Sequence, residues 1–207
     1  MSKLGQRLDA HFVACAAAAG ASVAAVGVAE AQIIHSGPVN IVIPDNLDGI
    51  YMNIVTGATG STGGSVSGWD INPYSATGPG THFNLWGPTT TTWAELGGLF
   101  NLPFGTMIDP LSTFSRPGGG TNLAGQMNLN SDSNLLGFRF THEGNGNQIH
   151  FGWIRMEFGA GVGTRAIVEY AYESTAGRGI GAGVVPTPGT VALLALGAAG
   201  LGGRRRK

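Results

Sequence analysis

Past residue 31 the chain carries four histidines, His35, His82, His142 and His150, and the last two flank what reads as one hairpin. Imidazoles so placed raise the question of a metal, but no carboxylate pair joins either one at ligand spacing. Solvent-facing or packed histidines are the plainer reading. The run "NLNSDSN" sets Asn128, Asn130, Asp132 and Asn134 at alternate positions, like part of an oxygen-lined calcium loop. Only Asp132 is charged, and the glycine and distal glutamate of an EF-hand are missing, so a polar turn is the default and calcium the alternative. Glycoside hydrolysis would need two carboxylates facing across a cleft, and Asp132 with Glu157, or Asp70 with Glu95, could be nominated. "GGSVSG" lacks the G-x-S-x-G elbow, and "GPGTHFNLWG" and "RPGGGTN" lack the lysine and strand-to-helix setting of a phosphate loop. The remaining chemistry is aromatic. Trp69, Tyr74, Trp86 and Trp93 fall in a polar, threonine-rich region, where flat rings beside amides suit the apolar face and hydroxyl rim of a sugar. The competing reading places those rings in a core.

Whatever these residues do, strands must hold them. Of 207 residues 36 are glycine and only 11% are charged, which disfavours long helices. With 43% hydrophobic residues the chain is also unlike charge-rich disorder. "NIVIPDNLDGIYMNIVTG" predicts two short strands with a bend at Asp48-Gly49, and "TGATGSTGGSVSG" and "FSRPGGGTNLAGQ" read as loops. The most legible stretch is "LLGFRFTHEGNGNQIHFGWIRMEFG". A two-residue type I′ turn at Asn145-Gly146 would set Phe140 opposite Phe151 and Phe138 opposite Trp153. That register gathers the aromatics on one face and Arg139, Thr141 and His150 on the other, parting His142 from His150. "TRAIVEYAYE" adds a third strand, with Ala166, Val168, Tyr170 and Tyr172 on one face and Arg165, Glu169 and Glu173 on the other. The expected fold is all-β, a single antiparallel β-sandwich of jelly-roll type over residues 32–183.

The two ends read differently from the body. "MSKLGQRLDAH" carries Lys3 and Arg7, "FVACAAAAGASVAAVGV" is apolar, and Ala29 and Ala31 precede a cut at Gln32. That is the order of a secretory signal peptide over residues 1–31, with an uncleaved membrane anchor as the alternative. Cys15, the sole cysteine, would leave with it, so the body has no thiol chemistry. Between Gln32 and Val185 ten acids face five arginines and no lysine, a net charge of −5. Nothing there would neutralise a row of phosphates, which argues against nucleic acid. At the other end Gly189 to Gly203 is free of charge and Arg204, Arg205, Arg206 and Lys207 follow. As a helix those 15 residues would cover about 22 Å, a marginal crossing, with the basic cluster kept on the cytoplasmic side. A helix packed on the body is the alternative.

Val185, Pro186, Thr187 and Pro188, the apolar run and the basic cluster together resemble the PEP-CTERM sorting signal of bacterial exported proteins, over residues 184–207. Thr187 stands where that family usually has glutamate. The resemblance implies a C-terminal transmembrane sorting helix, with signal peptidase and an exosortase-type membrane enzyme as processing partners. It also implies delivery to the cell envelope or extracellular matrix. The body looks like the uncharacterised exported members with one small β domain, which brings no established activity. The expectation is a non-enzymatic structural or adhesive protein without an obligatory cofactor. A glycan-binding module, with exopolysaccharide as partner, is the first alternative, and a secreted hydrolase the second.

Overall fold

The computed structural model describes residues 32–77 and 80–185. Ala29, Ala31, Pro186, Thr187, Pro188 and Arg204 to Lys207 lie outside them, and with them the expected leader and sorting helix. Within the described residues the chain is all-β and antiparallel, with three single-turn 3₁₀ segments as its only helical structure. No helix there is long and apolar enough to cross a membrane.

The strands are β1 (Ile33–His35), β2 (Ile41–Val42), β3 (Tyr51–Met52), β4 (Thr59–Gly60), β5 (Asn72–Tyr74), β6 (Asn84–Trp86) and β7 (Thr92–Glu95). They continue with β8 (Met107–Ile108), β9 (Thr113–Ser115), β10 (Ser131–His142), β11 (Gln148–Phe158), β12 (Arg165–Glu173) and β13 (Ile180–Gly181). A seven-stranded sheet runs β1-β12-β11-β10-β7-β9, and β2 shares the outer edge of β12 with β1. Between β1 and β2 the pairing is interrupted at Gly37-Pro38, where Gly37 takes φ +67° and proline offers no N–H. Ser36 and Val39 on either side still donate to β12 carbonyls. The small strands form a second group. β3 pairs β4, β5 pairs β6, and the backbone bonds Ile50 N–H to Pro73 O and Met52 N–H to Ile71 O join the two hairpins.

The three-strand meander falls where the sequence puts it, but its register does not. The connection spans five residues, Glu143 to Asn147, opening with a 3₁₀ turn at Glu143–Asn145. The left-handed positions are Gly146 and Asn147, one residue later than a two-residue turn at Asn145-Gly146 requires. Every pair therefore moves by one: Phe140 faces His150, Arg139 faces Phe151, Phe138 faces Gly152 and Gly137 faces Trp153. A one-residue slip exchanges the faces of a strand. Phe138 and Phe140 thus turn to one side with Ile154, Met156 and Phe158, while Phe151 and Trp153 turn to the other. Both sides of the sheet are buried, so the expected single aromatic face is replaced by two. The glycines make room for this. A Cβ on Gly152 would lie 2.9 Å from the Phe138 ring, and one on Gly137 would lie 2.7 Å from Ile108.

A second correction concerns β12. Arg155 pairs with Glu169 but Met156 pairs with Ile167, so Val168 is bulged out. The bulge switches parity along the strand. Ile167, not Val168, joins Tyr170 and Tyr172 on the larger core, and Arg165 turns inward instead of outward. Met52 of β3, Ile71 just before β5 and Leu85 of β6 join that same core. The opposite side of the sheet is covered by the segment around Leu102 and Ile108 and by β13, and three residues beyond β13 the Val184 carbonyl accepts the indole N–H of Trp153.

Candidate functional site

The aromatic residues singled out in the sequence are divided by the fold. Tyr74 ends β5 and Trp86 ends β6, and both line an open cleft of about 400 Å³ with Leu47, Tyr51 and Asn72. Trp86 is 41% exposed. The Arg116 guanidinium lies 4.8 Å from its ring centre and donates to the Gly87 carbonyl, which holds the indole in place. The Tyr74 hydroxyl accepts from the Asn84 amide at 3.0 Å and donates to the Gly119 carbonyl at 3.4 Å, and burial raises its pKa. Trp69 does not line the cleft. It packs edge-on against Tyr51 at 4.8 Å and so backs one of its walls. Trp93 belongs to the core, fully buried against Phe138. Tyr51 is the member the sequence hides, because only the hydrogen bonding of β3 to β5 brings it beside Tyr74.

A second, smaller cavity of about 160 Å³ collects polar groups from distant segments, among them the titratable Asp70, His142 and Glu143 and the Thr141 hydroxyl. Asp70 is buried, accepts the Ile54 N–H at 2.8 Å, and has its pKa raised to about 7. Burial is the main cause, opposed by the Ile54 hydrogen bond and reinforced by the charge of Glu143. Glu143 rests over Gly68, where a Cβ would collide with its carboxylate. His142 and His150 stand on one face with ring centres 5.0 Å apart, a consequence of the shifted register and a correction to their expected separation. Burial and then the neighbouring His150 push the pKa of His142 down. His150 is pinned from both nitrogens: Asn145 donates to Nε2, so Nδ1–H donates to the Glu173 carbonyl. The Thr141 hydroxyl and His142 Nδ1 are buried without a hydrogen-bond partner.

The carboxylates nominated from the sequence take other partners, although the register sets Glu157 across the β10–β11 bulge from Asp132 and Ser133. The neighbour of Asp70 is Glu143, while Glu95 accepts a hydrogen bond from Ser115. Asp132 is bound to Arg155 at 2.6 Å, and Arg155 continues to Glu169 at 2.8 Å, whereas Glu157 lines a separate groove with Arg165. The calcium-like alternation resolves into a hydrogen-bonded turn that opens β10. Asn130 is left-handed at φ +49°, and Asn134 is buried, accepting from Asn128 N–H and donating to the Asn128 and Met156 carbonyls. Among the described residues no three His, Cys, Asp or Glu side chains gather in a way that could hold a metal ion. Gln32 and Val185 bound the described ends of the body. Compared with protein families, curated proteins and solved structures, the chain matches none.

Proposed function

We propose that this is an exported β-sandwich protein of jelly-roll type with an adhesive role, carried by saccharide binding in the Trp86–Tyr74–Tyr51 cleft. The packing of β3 to β6 onto one face of the large sheet supports the two-layer reading. The observation that carries the function is the half-exposed Trp86, oriented by Arg116 and facing an open cleft in a domain that buries Trp93 and Trp153 completely. An aromatic platform beside an amide offers stacking to a sugar ring and a hydrogen bond to its rim. The chain would reach its site through signal peptidase at Ala31-Gln32 and an exosortase-type enzyme at Val185 to Pro188, with Arg204 to Lys207 as retention charges.

In affinity electrophoresis through acidic and neutral exopolysaccharides, Trp86→Ala should weaken retardation by about tenfold or more, since a largely buried aromatic contact is worth about 1.5–3 kcal/mol. Trp69→Ala should weaken it less, acting through Tyr51. Equal retardation of Trp86→Ala and the unaltered chain would remove the saccharide reading. Sorting is tested separately: replacing Arg204 to Lys207 with serines should release the protein from the membrane fraction, and unchanged fractionation would sink the tail argument. A hydrolytic reading is favoured by one observation, the shared cavity of Asp70 and Glu143. A carboxyl protonated near neutral pH beside a second carboxylate is the pairing that acid–base cleavage uses.

A further inference from the structure

Large apolar side chains stand exposed along one loop-rich side of the domain. Phe104 is 75% exposed, Leu111 92%, and Met107 and Leu99 are each more than half exposed. They are one neighbourhood. Leu99 and Phe104 line a common groove of about 640 Å³, Met107 pairs with Gly181 on β13, and the Ser112 hydroxyl of the loop bearing Leu111 donates to the Met107 carbonyl. A Cβ on Gly183 would lie 2.8 Å from the Phe104 ring, so the chain passes directly beside Phe104 as it leaves β13 toward Val185. No charged residue occurs between Glu95 and Asp109, or between Arg178 and Arg204. Charge enters at the margins, through Asp109 in the loop bearing Leu111 and the Asp132–Arg155 pair that lines the groove, while Phe104, Met107 and Leu111 offer the apolar surface that a lipid interface accepts and bulk water does not.

The distance along the chain decides what covers it. The apolar run that begins at Val191 is six residues beyond Val185, and six residues reach at most about 22 Å when fully extended. If that run enters a bilayer, Val185 is tethered within that reach of it, and Phe104 and Met107 with it. We infer that the Phe104–Met107–Leu111 face docks on the surface of the lipid bilayer that holds the sorting segment, and does so before the segment is processed. The inference rests on the sorting reading above. It has a geometric consequence: the exposed face belongs to segments covering the Trp153 side of the large sheet, and the aromatic cleft belongs to strands packed on the Phe138 side. Docking by the first turns the second toward the exterior, where polysaccharide would meet it.

The test uses the full chain with Cys15→Ser and single cysteines at Phe104→Cys, Leu111→Cys, Leu47→Cys or Leu194→Cys, each carrying a nitrobenzoxadiazole probe. Each protein is inserted into phosphatidylcholine vesicles with and without spin-labelled phosphatidylcholine. Leu111 is almost wholly exposed, so its replacement removes no core contact. The expected result is quenching of about twofold or more at positions 104, 111 and 194 and none at 47, which lies in the aromatic cleft. Quenching at 194 without quenching at 104 and 111 would overturn the docking face while leaving the sorting reading intact. Absence of quenching at 194 would remove that reading and this inference together. Disulfide cross-linking between copies of the unlabelled Phe104→Cys chain, with no quenching in its labelled form, would assign the face to a second copy of the chain and overturn lipid docking.

Discussion

Arg165→Met should lower the unfolding free energy by about 3–5 kcal/mol, read as a shift of the urea midpoint at constant slope. Arg165 lies inside because the bulge at Val168 turns it there. Its guanidinium donates to the carbonyls of His82, Val162 and Pro44 at 3.0–3.2 Å and stands 3.4 Å from Asp45. It also lies over the Phe83 ring at 5.6 Å. Three loops are therefore joined through one side chain, and methionine can fill the volume but donates to none of them. Asp45, which also accepts from Gly80, would be left without its cation. The double variant Asp45→Asn/Arg165→Met should recover part of the loss, because the unpaired charge then disappears. A loss under about 1 kcal/mol in the single variant would mean that water reaches the three carbonyls as readily as arginine does.

Asp70→Asn should leave stability at pH 4 nearly unchanged and raise it at pH 8, by up to about 4 kcal/mol. The direction follows from the proton. Asp70 titrates near 3.8 when unfolded and near 7 when folded, so between those values the folded chain holds a proton that the unfolded chain has released. Stability from this group is full below about pH 4 and is lost as pH rises through about 7. Asparagine can still accept the Ile54 N–H and never ionises, so the variant should show a flatter profile in that window. Parallel profiles for the two proteins would show that Asp70 is not a buried titrating group. The same variant bears on hydrolysis: if the unaltered chain cleaves a polysaccharide, Asp70→Asn should abolish cleavage yet retain binding at the Trp86 cleft.

The strands β10 to β12 were legible because each is long and dense in aromatic and β-branched residues, with glycine and asparagine between them. Their register was not, because Glu143 to Asn147 closes as a five-residue turn and the Asn-Gly pair suggests a two-residue one. The same shift joins His142 to His150, and the bulge at Val168 buries Arg165; both depend on a single residue of offset. The two-residue strands β8 and β13 carry too little alternation to be read at all, whereas β2 and β3 are legible on either side of the Asp48-Gly49 bend. Half of the aromatic cleft was visible, since Tyr74 and Trp86 are conspicuous in a polar stretch. Tyr51 and the Asp70–Glu143 cavity were not, because tertiary pairing alone brings those distant segments together.

The break at Gly37-Pro38 bears on how copies of the domain meet one another. A long unbroken outer strand would present a row of free amides and carbonyls to any neighbouring chain, inviting strand-by-strand growth into fibres. Here one border of the sheet is split between β1 and β2, and the other is the three-residue β9, soon followed by Pro117. Neither border offers a template of useful length. Growth of the sheet from copy to copy is disfavoured at both borders.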